Sequence, residues 1–129
     1  MNSKFCVDTH SLVWYFLGRK TLSHKAKLLI QAGFTPKATL VIPTLVLLEA
    51  FHLSLKQPRF SFPKFVASLK QAHSLVASFD KPTLKNCYKL PPQLNIHDRV
   101  IAATALTYHC PLITKDKTLA QQIPVSIIW

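Results

Sequence analysis

The sequence predicts an α/β protein: one domain with a mostly parallel sheet covered by helices on both faces. Short β-branched runs alternate with longer segments of helical periodicity along the whole chain. Because helical segments separate the strands, the connections are right-handed crossovers and the strands run parallel. At 129 residues with 49% hydrophobic content, the chain suits a single domain, residues 1–129, with one core.

The first strand is expected at "KFCVD" (4–8), followed by an apolar helix around 11–17. "LSHKAKLLIQAG" places Leu22, Ala26, Leu29 and Ile30 at helical spacing and closes on Gly33 as a C-cap. "ATLVIP" (38–43) reads as the second strand, stopped by Pro43, and "TLVLLEAFHL" opens a buried helix over 44–56. "QPRFSFP" (57–63) is a proline-bounded turn, and helix 63–73 aligns Phe65, Val66, Leu69 and Ala72. "SLVASFD" (74–80) is a third strand, and Pro82 suits the first turn of a helix that ends before Pro91. "HDRVIAATALTYH" (97–109) carries one stripe of Ile101, Ala102, Ala105 and Leu106. A fourth strand in "CPLITKD", a short helix and a last strand in "VSIIW" complete the chain.

Sixteen Lys and Arg stand against five Asp and Glu, a net charge of +11. Such a surface attracts polyanions, nucleic acid above all, although excess Lys also serves solubility or an acidic protein partner. The charged fraction of 16% excludes a disordered chain. Charged residues interrupt every apolar run before it reaches bilayer length, and the N-terminal stretch lacks a signal-peptide pattern. The expected location is the cytoplasm, without membrane contact. Three widely spaced cysteines with no CxxC pair argue against a disulfide framework and against structural zinc.

The few acids carry the functional signal. Asp8 closes the first strand, Glu49 sits inside an apolar helix, Asp80 ends the third strand, Asp98 opens a helix and Asp116 follows the fourth strand. Helix capping accounts for Asp8, Asp98 or Asp116 taken singly. Glu49 resists that account, because it shares a face with Leu45 and Leu53, where an ionised carboxylate is costly unless paired or metal-bound. A snorkelling Glu49 or one paired with Lys56 is the alternative. In parallel α/β folds, ligands bind beyond the carboxyl ends of the strands, where several of these acids lie. Carboxylates converging there would repel one another and raise their own pKa values unless a cation intervened. All-oxygen ligation favours Mg²⁺ or Mn²⁺, which can activate water against phosphorus.

Four stretches, "FCVDTHSLVWYF", "LLEAFHL", "NIHDRVIAATAL" and "LITKDKTL", resemble in order and spacing those of PIN domains, and among them the VapC-type toxins. The resemblance runs from residue 5 to 119. It implies a three-layer α/β/α fold around four or five mostly parallel strands, and Mg²⁺- or Mn²⁺-dependent cleavage of RNA. It also implies an acidic cognate antitoxin and a homodimer. The family's catalytic and metal-binding acids fall on Asp8, Glu49, Asp98 and Asp116, with Thr114 supporting them by hydrogen bonding. Asp80 matches a position without a metal role. Lys117 and Thr118 stand where some relatives have an additional acid, which leaves the number of metals open.

His10 and His97 adjoin two of the acids, and the reading gives them supporting or structural roles. Phe60 and Phe62, between Arg59 and Lys64, suit either base stacking or packing against a partner. "EAFH" is a single Glu-x-x-His where di-iron bundles need two. With Gly18 and Gly33 the only glycines, no phosphate-binding loop is available. A housekeeping nuclease and a non-cleaving binding module are the alternatives to a toxin.

Overall fold

The structure, a computed structural model, describes residues 3–129. Five strands form one sheet, β1 (Ser3–Val7), β2 (Ala38–Pro43), β3 (Ser74–Ala77), β4 (Leu112–Ile113) and β5 (Ile127–Ile128), in the order β3-β2-β1-β4-β5. Every neighbouring pair is parallel, with Cys6 opposite both Val41 and Leu112. Six helices complete a three-layer α/β/α arrangement: α1 (Thr9–Leu17), α2 (His24–Ala32), α3 (Thr44–Ser54), α4 (Phe62–Lys70), α5 (Lys81–Tyr88) and α6 (Ile96–Thr107). A 3-10 turn spans Lys117–Gln121. No helix among the described residues is long and apolar enough to cross a membrane.

The core follows from the carboxyl-terminal stretches of the central strands, which are buried on both faces and therefore apolar. Cys6, Val7, Leu40, Val41, Ile42, Leu112 and Ile113 are fully buried. The chain leaves β1 to build β2 and β3 on one side and returns to build β4 and β5 on the other. The strand order therefore reverses beside β1, and the crevice at the carboxyl ends of β1 and β4 is the natural ligand position.

Several expected boundaries shift. The third strand stops at Ala77, so Asp80 does not end it; Asp80 N-caps α5, accepting from Thr83 N and Thr83 Oγ1. The helix expected over 63–73 runs Phe62–Lys70, because Ser61 caps it and Pro63 falls in its first turn. The fourth and fifth strands are two residues each, since only that much finds a neighbour in the sheet.

The helix expected to be buried, α3, is not. Only Val46 and Ala50 are buried along it, and Leu48 and Leu55 are 62% and 66% exposed. Gly33 does end α2, but in right-handed conformation (φ −68°). Its small size matters for another reason, since an added Cβ would lie 2.4 Å from Leu40 Cγ. Cys6, Cys87 and Cys110 are buried and unbridged. Burial pushes all three thiols above their ordinary pKa, so none is a poised nucleophile.

Candidate active site

Asp8 follows β1 directly and takes an extended conformation (φ −85°, ψ 172°) as N-cap of α1. Its Oδ1 accepts from Ser11 N at 3.0 Å, the ordinary capping bond. Its other oxygen, Oδ2, accepts from Thr114 Oγ1 at 2.5 Å. Thr114 follows β4, the strand beside β1, and is 2% exposed. Its hydroxyl oxygen also accepts from Asp116 N at 3.2 Å, so one buried threonine ties together the two segments that carry Asp8 and Asp116. Asp116 caps the 3-10 turn through Oδ1, which accepts from Thr118 N and Thr118 Oγ1. Capping and site placement are thus compatible: an N-cap uses one carboxylate oxygen, and in Asp8 the second turns to Thr114.

Glu49 reaches the same region from the middle of α3. Lys56 is not its partner. Its Oε1 accepts from Thr9 Oγ1 at 2.7 Å, and its Oε2 lies 3.0 Å from His97 Nδ1. Thr9 is buried at the start of α1 and His97 stands in the first turn of α6, so Glu49 is gripped between the helices that carry Asp8 and Asp98. Asp98 does not cap α6; Asn95 does, accepting from Asp98 N at 2.8 Å. In return Asn95 Nδ2 donates to Asp98 Oδ2 at 3.0 Å, a reciprocal arrangement that orients the carboxylate. Asn95 and Thr9 escaped the sequence reading, because a polar residue at a helix start is explained locally and its distant partner is invisible in one dimension.

Asp98 feels the other three acids. Burial raises the pKa of Asp98; the Asn95 hydrogen bond opposes the rise, and Asp116, Asp8 and Glu49 add to it, in that order. The structure therefore brings all four sequence-predicted acids into one electrostatic neighbourhood, with Thr114 among them. It does not close them onto a single point. Among the described residues no three His, Cys, Asp or Glu side chains already form a group able to hold a metal ion. Each carboxylate is held by a neutral donor or a histidine. Uncompensated negative charge, carried only by oxygen donors, is the donor chemistry that suits a hard divalent cation.

Two expectations about flanking residues separate. His10 is exposed and packs on Trp14, ring centroids 5.5 Å apart, while His97 contacts Glu49 directly. Phe60 is only 3% exposed and packs edge-on against Phe16 and Phe65, so it belongs to the core and cannot stack bases. Phe62 is half-buried against Phe51 and Phe65. Beside Glu49 a cavity of about 420 Å³ opens, walled by Leu45, Leu48 and Phe51 as well as His97.

The sequence matches the family described as PIN domain over residues 5–122. No curated protein matches it. Among solved structures, the fold is similar to VapBC2 from Rickettsia felis bound to a promoter DNA fragment. That likeness has a TM-score of 0.74 at 14% identity and covers 97% of both chains. It is also similar to a toxin-antitoxin complex from Klebsiella pneumoniae, with a TM-score of 0.72, 20% identity and coverage of 99% of this chain and 97% of that one. DNA-bound VapBC from Salmonella typhimurium follows, with a TM-score of 0.65, 15% identity and coverage of 98% and 97%. At these identities the likeness is one of fold.

Proposed function

This chain belongs to the PIN domain family, and from that premise we propose that it is a divalent-metal-dependent endoribonuclease, the toxin of a VapBC-like toxin-antitoxin pair. The observation that carries the reading is the crowding of Asp98 by Asp116, Asp8 and Glu49, in a chain with only one other acid. Carboxylates crowded in this way mark a candidate functional site, and a cation is what would relieve their repulsion. Asp8, Glu49, Asp98 and Asp116 would hold Mg²⁺ or Mn²⁺. Bound there, the cation would supply an acidified water and stabilise charge on the phosphoryl oxygens.

The chain's own residues prepare that site. Thr114 fixes Asp8 and the backbone of Asp116, Thr9 and His97 fix Glu49, and Asn95 fixes Asp98. Such outer partners hold ligands within the narrow tolerance that metal binding and catalysis demand. The excess of cations elsewhere on the surface draws in the polyanionic substrate. Exposed Leu48 and Phe51 on α3, with Leu55 at its C-cap, support a protein partner close to the site, which suits an acidic antitoxin and a second copy of the chain.

The decisive experiment is Mg²⁺-dependent cleavage of single-stranded RNA by wild type and Asp98→Asn. The variant should fold and lose at least about a hundred-fold in rate, the scale of removing one charge-stabilising group. Undiminished cleavage by the variant would remove Asp98 from the site and the reading with it.

A further inference from the structure

Outside the acid cluster, an aromatic and basic tract runs along α1. His10 and Trp14 are one turn apart, and Lys115 Nζ lies 5.9 Å from the Trp14 ring centroid. Trp129 braces the same ring edge-on at 6.1 Å. Both flanking groups come from the acid cluster: His10 is two residues beyond Asp8, and Lys115 separates Thr114 from Asp116. At the far end of α1, Gly18 adopts φ +66°, a conformation that favours glycine, and Arg19 N donates to Trp14 O at 2.9 Å. That turn sets Arg19 beside the tryptophan. Trp14, Arg19, Lys20, His24 and Lys27 line a cavity of about 250 Å³.

The charge of this tract is unspent. No Asp or Glu occurs between residues 9 and 48, and the sole ion pair among the described residues is His97 with Glu49. Arg19, Lys20, Lys27 and Lys115 are exposed, while Trp14 is half-exposed. A tryptophan face flanked by unpaired cations is the combination that grips single-stranded nucleic acid, with the ring stacking a base and the cations tracking the backbone. An acidic peptide would use the cations but gains nothing from the ring. A duplex keeps its bases stacked and could not offer one.

We propose that Trp14 is a base-stacking platform and that Arg19, Lys20 and Lys27 form a phosphate track, so that single-stranded RNA leaves the acid cluster along α1. Lys115, at the outer limit of cation–π reach, can swing from the ring to a phosphate as the base arrives. The assignment deepens the nuclease reading and rests on it for the identity of the strand.

The test uses the full chain in EDTA, where no cleavage is needed. With Trp129→Phe in the background, Trp14 is the only indole, and its fluorescence reports a stacked base directly. A mixed-sequence single-stranded RNA should quench it saturably, and Trp14→Leu should bind that RNA about ten-fold more weakly by an independent assay. Arg19→Gln/Lys20→Gln/Lys27→Gln alters only exposed side chains. It should lower the slope of log K against log salt by about 2. RNA binding without quenching and with an unchanged slope would overturn the track, as would quenching by poly-glutamate but not by RNA. Quenching without any Mg²⁺- or Mn²⁺-dependent cleavage would sustain the track and sink the nuclease reading. Cleavage without quenching would do the reverse.

Discussion

At the scale of single residues, Asp98 is the acid whose titration the fold shifts. Its pKa is raised first by burial and then by three neighbouring acids, against the Asn95 hydrogen bond. The folded value therefore exceeds the unfolded one, and the native state holds the proton more tightly. Stability is lost as pH rises through the interval between the two values, and the penalty is fully present above it. Asp98→Asn should accordingly raise the Tm of the metal-free protein at pH 7 by about 2–4 °C, and reduce the gain in Tm on acidification. Mg²⁺ or Mn²⁺ should raise the Tm of the wild type more than that of the variant. Equal metal-free melting of the two at pH 7 would show that the carboxylates do not strain one another.

Among the elements, α6 depends on a clamp that the sequence does not announce. Arg99 has no carboxylate partner among the described residues; its guanidinium donates to the carbonyls of Cys87, Leu90, Pro91 and Leu94, at 2.6 to 3.3 Å. These bonds tie the α5–α6 connection to the first turn of α6, next to Asp98. Arg99→Gln cannot reach four carbonyls and should cost about 1–3 kcal/mol in urea unfolding. It should also weaken Mg²⁺ binding, whereas Arg99→Lys should recover part of both. A loss of stability with unchanged metal affinity would confine the clamp to folding. The packing of α2 on β2 sets a second limit. Gly33→Ala would press a methyl into the fully buried Leu40, costing about 1–3 kcal/mol by the same measurement. A neutral outcome would mean that Leu40 can move aside.

For the whole molecule, charge and exposed apolar surface point in the same direction. On the proposed reading, a net charge of +11 would serve capture of a polyanion, and exposed Leu48, Phe51 and Leu55 would meet a protein partner. If the chain is a toxin, its induced expression alone should arrest growth, and co-expression of a cognate acidic antitoxin should restore it. Asp98→Asn should be harmless in the same cells. Normal growth under strong wild-type expression would favour a housekeeping nuclease. Titration with the partner should suppress RNA cleavage in step with complex formation.

The strand–helix alternation, the order of the elements and the candidate acids were all legible in one dimension. Burial of Cys6 and Val7 in β1 and of Leu40, Val41 and Ile42 in β2 demands apolar runs, and the scarcity of acids made each one conspicuous. The sequence left other matters open because they depend on contacts between distant segments. β4 and β5 are short because only two residues of each meet a neighbour. The exposure of α3 reflects which of its faces the sheet happens to leave uncovered. Thr114 joins Asp8 to Asp116 because parallel packing of β4 on β1 brings those ends together, and Glu49 takes Thr9 and His97 over Lys56 because α1 and α6 both pack against α3. Periodicity and composition are local properties that a chain carries before it folds, whereas the company each carboxylate keeps is created by long-range packing.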